Sequence, residues 1–91
     1  MPTLTVPAPL RTYTANTGII ELQAVDVRGA VQELVSQFPA LDPHLFTEQG
    51  QLKPYVNLFL NGEDVRYLQG LDTELAAQDQ LRIIPSIAGG V

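Results

Sequence analysis

Few side chains in this sequence are of types that do chemistry, and their spacing sets most of them aside. There is no cysteine, so no thiolate nucleophile, thiolate metal site or disulfide can form. The single histidine, His44, lies in "DPHLF", where a lone imidazole reads as a packing or surface residue rather than a base. Glu63 and Asp64 adjoin beside Asn61-Gly62, but neighbours in one turn do not flank a substrate as an acid–base pair must, and no metal-ligand spacing occurs. Arg66 reads as their local ion-pair partner. Lys53 is the only lysine, so a modifier that built chains of itself would have only Lys53 or the N-terminal amine as acceptor. What remains is the stretch "IPSIAGGV" at 84–91. Glycines add no packing surface and lose the most backbone entropy when ordered. A Gly-Gly pair therefore marks either an idle terminus or a working main chain.

The elements that must position this stretch fit a single domain. Ninety-one residues allow one core, burying roughly 60–65% of the unfolded surface. With 45% hydrophobic residues and mean hydropathy +0.08, the chain reads as folded rather than disordered. Ten acidic residues against five basic give a net charge of −5. The five cations are scattered, which argues against nucleic acid and for a protein partner with a positive face. No apolar run approaches the length of a membrane span, and "MPTLTVPAPLR" lacks the layout of a signal peptide. The cytosol is the expected location.

Alternation of Leu4, Val6, Ala8 and Leu10 predicts a first strand at 4–10, against which Pro7 and Pro9 argue. "TANTG" is a turn and "IIELQA" at 19–24 a second strand. Val27, Ala30, Val31, Leu34, Val35 and Phe38 then form one apolar stripe of a three-turn helix, capped by Asp26, weakened by Gly29 and ended by Pro39. A short turn is expected at "PHLF". "YVNLFLNGEDVRYL" at 55–68 reads as strand, Asn-Gly turn, strand. "LDTELAAQDQ" holds a helical turn and a loop, and "LRIIP" at 81–85 is a last strand. The predicted class is α+β, with a mixed sheet of about five strands on one main helix. Residues 1–85 are expected to form the domain and 86–91 a flexible tail. Val56, Leu58, Leu60, Leu81 and Ile83 should face the helix. Phe59, Ile84, Arg82 and, near the tail, Ile87 should face out, an apolar patch of the kind that marks partner sites. Arg11 and Arg82 are candidates for steering a partner.

One helix cradled by two hairpins, with a last strand running into Gly-Gly, resembles the β-grasp fold of ubiquitin-like proteins. Within it, "VPAPLR", "VDVRGAVQELVSQFP", "YVNLFLNGEDVRY" and "LAAQDQLRIIPSIAGG" resemble the MoaD/ThiS family of small sulfur carriers. The "VN…NxEDVR" hairpin and the "PxxAGG" ending are similar to carriers of the cysteine-biosynthesis type. The resemblance implies a carrier rather than an enzyme. An ATP- and magnesium-using activating enzyme would adenylate the carboxylate of Gly90, and a sulfur donor would convert it to a thiocarboxylate. Ile87, Ala88 and Gly89 would be read by the enzyme's channel, where absent Cβ atoms allow a close approach. The carrier itself would bind no cofactor and would be a monomer by itself. A sulfur-accepting synthase would consume the sulfide, in cysteine assembly first, or in molybdopterin, thiazole or thio-metabolite synthesis.

Val91 departs from that pattern. While it is attached, the carbonyl of Gly90 belongs to an amide and offers no carboxylate. The favoured reading is a precursor whose Gly90–Val91 bond is cut by a partner metalloprotease; otherwise Val91 blocks the tail, and the resemblance implies a protease for product release in cysteine assembly as well. Two other functions stay open: a ubiquitin-like modifier joined to lysines, and a β-grasp module that binds only through its sheet.

Overall fold

The structure, a computed structural model, describes residues 1–85. Strands β1 (Thr3–Thr5) and β2 (Ile19–Glu21) precede helix α1 (Val27–Gln37). A short helix α2 (Asp42–Leu45) follows, then β3 (Val56–Leu60), β4 (Glu63–Asp64) and β5 (Gln80–Pro85). Among the described residues they form one five-stranded sheet in the order β2-β1-β5-β3-β4. β1 and β5 run parallel, and the other pairs are antiparallel. This is the expected β-grasp arrangement, with the N-terminal strand beside the last one.

Helix α1 begins where its cap predicts. The carboxylate of Asp26 accepts from the Gly29 amide at 2.7 Å, satisfying one of the donors a helix start leaves open. Gly29 is thus part of the cap as well as a weak helix former. Val27, Ala30, Val31 and Leu34 are buried, and Val35 and Phe38 cover the core edge. Pro39 opens a 3-10 turn, Pro39–Leu41, that leads into α2, the turn expected at "PHLF". His44 does not point at a reaction site: its ring stacks on Tyr13 with centroids 4.1 Å apart.

Three strands are shorter than alternation predicts. β1 stops at Thr5, and Ala8–Tyr13 form a 3-10 helix instead of a strand to residue 10. Pro7 and Pro9 have no N–H to give a ladder, whereas a proline at the start of a helical turn costs nothing. β2 stops at Glu21 because the Glu33 carboxylate takes the amides of Gln23 and Ala24 at 2.9 and 3.0 Å. β4 stops at Asp64 because its carboxylate accepts the Arg66 amide at 2.9 Å, starting the 3-10 turn Val65–Tyr67. The helical turn expected in "LDTELAAQDQ" is the 3-10 turn Gly70–Asp72. The Asn61-Gly62 turn has φ of 51° and 89°, the left-handed pair such hairpins need.

The inner face of the sheet carries Val56, Leu58, Leu60, Leu81 and Ile83 against α1, as expected, and Leu4 beside them. Among the described residues no buried side-chain polar atom lacks a hydrogen-bond partner. No helix among them is long and apolar enough to cross a membrane.

Leu58 is 2% exposed, so Leu58→Ala should lower unfolding stability by roughly 2–5 kcal/mol, measured by urea denaturation. Acid should weaken the fold through Asp64 and Asp79. Hydrogen bonds from the Arg66 side chain and amide hold the Asp64 carboxyl below its ordinary range. The Ala76 amide and the Asn61 side chain do the same for Asp79. A carboxyl depressed in the fold contributes stability above its unfolded pKa of about 3.9 and loses it as pH falls through the folded value. Melting temperatures should therefore drop below about pH 4, and Asp79→Asn should flatten part of that drop.

Candidate functional site

The outer face of the sheet is built from the residues that alternate with the core. Pairing aligns them in one row: Ile19 opposite Thr5, Thr5 opposite Arg82, Arg82 opposite Phe59, and Phe59 opposite Asp64. Ile84 stands opposite Asn57 one step further along, toward the end from which the chain continues to residue 86. Ile84 is 38% exposed and Phe59 half-buried.

Two hollows flank this row. One, of about 350 Å³, is lined by Phe59, Asn61, Gly62 and Gln80 together with Thr5, Arg82 and Ile84. The other, of about 340 Å³, shares Thr5, Arg82 and Ile84 and adds Pro7, Arg11 and Pro85. All four docking candidates expected from the sequence (Phe59, Ile84, Arg82 and Arg11) thus line one continuous surface. A hollow of about 430 Å³ between Asp42, Phe46, Glu48 and Lys53 is larger, but it lies on other elements and contains neither β5 nor the outer row.

Arg11 arrives by a route that alternation does not show. The 3-10 helix after β1 turns it back so that its Nε donates to the Val6 carbonyl at 3.0 Å. The guanidinium lies across Gly18, where a Cβ would come within 3.1 Å of Nε. Arg66 also reaches this face. Its Nη2 meets Asp64 Oδ2 at 2.7 Å and Asn57 Oδ1 at 2.5 Å, and the paired carboxylate holds its pKa above the ordinary value. Its local pairing is as expected; its reach to Asn57 was not, because it depends on the turn after β4. Ile19, 64% exposed at the other end of the row, is a further apolar contact that the sequence reading passed over. Ile87, Ala88, Gly89, Gly90 and Val91, expected to be read, activated and processed, lie outside the described residues. Among the described residues no cluster of His, Asp or Glu could hold a metal ion.

The model of the ThiS family matches residues 4–90. The chain belongs to the ThiS family. It is similar to sulfur carrier protein CysO of Mycobacterium tuberculosis, with 29% identity over 90 residues covering 97% of each chain. In fold it is similar to a chain of the Amycolatopsis orientalis BexX/CysO complex, with a TM-score of 0.86 and 31% identity, covering 99% of this chain and 100% of that one. The crystal structure of SAMP1 from Haloferax volcanii is similar at a TM-score of 0.83 and 27% identity, with 98% of each chain covered. As a ThiS family member the protein is a small ubiquitin-like sulfur carrier, not an enzyme.

The outer row makes a direct prediction. Phe59→Asp changes a half-buried side chain outside the core, so the thermal melt should stay within a few degrees. Affinity for the protein's partner enzymes, read by calorimetry, should fall by about tenfold or more; unchanged affinity would remove this face from the docking surface.

Proposed function

We propose that the chain carries sulfur on the carbonyl carbon of Gly90. A metalloprotease first frees Gly90 from Val91. The new carboxylate attacks the α-phosphorus of ATP on an activating enzyme, with magnesium bound there, and pyrophosphate leaves. A hydrosulfide equivalent from a sulfur donor then attacks the acyl-adenylate and AMP leaves, giving a thiocarboxylate. A synthase takes the sulfide from it.

The carrying observation is a Gly-Gly pair four and five residues beyond the central strand β5, in a chain whose family match runs through Gly90 and leaves Val91 outside it. Two glycines would suit a narrow channel because a backbone without Cβ atoms can pass close to its walls. The similarity to a CysO protein over nearly the whole chain supports cysteine assembly as the route, ahead of molybdopterin, thiazole or thio-metabolite synthesis. The likeness to a chain from a BexX/CysO complex supports a carrier that works by docking on other proteins. Similarity to SAMP1 favours a second reading, in which the same acyl-adenylate is captured by a lysine amine and forms an isopeptide bond.

The test gives the activating enzyme ATP together with the full chain or with a form ending at Gly90. Pyrophosphate should be released only with the Gly90 form. Adding a sulfur donor should shift its mass by the exchange of one oxygen for sulfur. Equal release with both forms would overturn the processing step. Covalent ladders on other proteins, without the mass shift, would favour the modifier.

A further inference from the structure

The five cationic side chains divide by partner. Arg28 pairs with Asp72 at 3.0 Å and Arg66 with Asp64 at 2.7 Å. Lys53 Nζ stands 5.8 Å from the centre of the Tyr55 ring. Among the described residues Arg11 and Arg82 have no acidic partner. Arg11 uses Nε on a carbonyl, and the Arg82 side chain makes no hydrogen bond or ion pair among the described residues. Both line the hollow of about 340 Å³ beside Pro85. In a chain with ten acidic residues, none of the described residues that line this hollow or the one adjoining it carries a carboxylate. The sign of the surface is reversed there, next to the segment that leads to Gly90.

Two guanidinium groups in one hollow match carboxylate or phosphate oxygens, which their planar forks bind in pairs. Distance separates these two ligands. Five residues span at most about 17 Å of extended chain. With the tail threaded as the proposed function requires, the reacting carbonyl and the nucleotide phosphates lie about that far from Pro85, out of reach of either arginine. What meets the hollow is the protein surface around the mouth of the channel.

We propose that the Arg11–Arg82 hollow seats an acidic segment of the protein that receives the tail, with Asp or Glu carboxylates between the two guanidinium groups and an apolar neighbour against Ile84 and Pro85. The proposal rests on the tail reading given under Proposed function. The rest of the body, at net charge −5, disfavours the approach of such a segment elsewhere. The arginine pair therefore sets orientation as well as attraction.

The first arm titrates the ¹⁵N-labelled full chain with a deca-glutamate peptide. Amide shifts should be confined to residues 5–11 and 82–85, shrink at high salt, vanish in the Arg11→Gln, Arg82→Gln double variant and persist in Arg28→Gln. Shifts of equal size with inorganic phosphate at the same concentration, or shifts elsewhere, would overturn the proposal. The second arm measures adenylation of the Gly90-ending form. The double variant should raise KM by about tenfold with kcat unchanged; an unchanged KM would overturn the proposal. Arg82→Gln alone, which removes no hydrogen bond among the described residues, should show a smaller rise in the same direction and guards against loss of fold through the Arg11–Val6 contact. If the unaltered Gly90 form is not adenylated at all, the tail reading fails, and the peptide titration still decides the hollow.

Discussion

The register of β5 is the constraint on which the rest of the molecule depends. This strand is paired on both sides, parallel to β1 and antiparallel to β3, so its alternation is fixed twice. Leu81 and Ile83 are 1% exposed under α1, while Arg82 and Ile84 face out. A slip of one residue would exchange the two sets. It would bury a guanidinium group in an apolar layer, where an unpaired charge is several kcal/mol unfavourable, and would expose two aliphatic side chains. The outer face and the exit of the tail are therefore consequences of core packing rather than separate features.

The same strand joins distant parts of the sequence. β1 comes from the first residues and β5 from the last described ones, and each closes against the other. The outer row, which takes residues from all five strands, exists only once both halves of the chain have come together. If partners dock on this row, their recognition is coupled to complete folding, although its outward side chains are not part of the apolar core. This separation is what a carrier requires. On the proposed reading the chemistry would fall to main-chain atoms of the tail and recognition to the outward positions, while stability rests on the inward ones.

The elements legible in the sequence were those specified by more than one signal. Helix α1 had its spacing, its Asp26 cap and Pro39, and it lies within a residue of the expected bounds. The Asn61-Gly62 turn was equally plain. Strand lengths were not, and the three errors share a cause: side chains or prolines intercept backbone groups that alternation alone would leave to a ladder. Pro7 and Pro9 withhold donors, Asp64 captures an amide two residues on, and Glu33 captures amides ten and nine residues back. The last of these is a tertiary contact that no local pattern encodes. At the site, Phe59, Arg82 and Ile84 followed from period two. The positions of Arg11 and Arg66 follow from 3-10 turns that took the place of expected strand, so their neighbours could not be read off in advance.

Net charge illustrates the limit of composition. The sum of −5 points to a partner with a positive face, and at long range the whole body carries that sign. Docking, however, is decided within a Debye length of about 8 Å, where the charges that count are those lining the contact. Around β5 the charged residues lining the two hollows are Arg82 and Arg11, and the Arg66–Asp64 pair beside them is neutral in sum. Several acidic residues are used within the fold, as Asp26, Glu33 and Asp79 are. A charge distribution of this kind has a direction. On the proposal above, an acidic patch would be repelled by most orientations of the carrier and accepted in the one that presents Arg11 and Arg82, so the excess of carboxylates elsewhere would sharpen the preference created by two arginines.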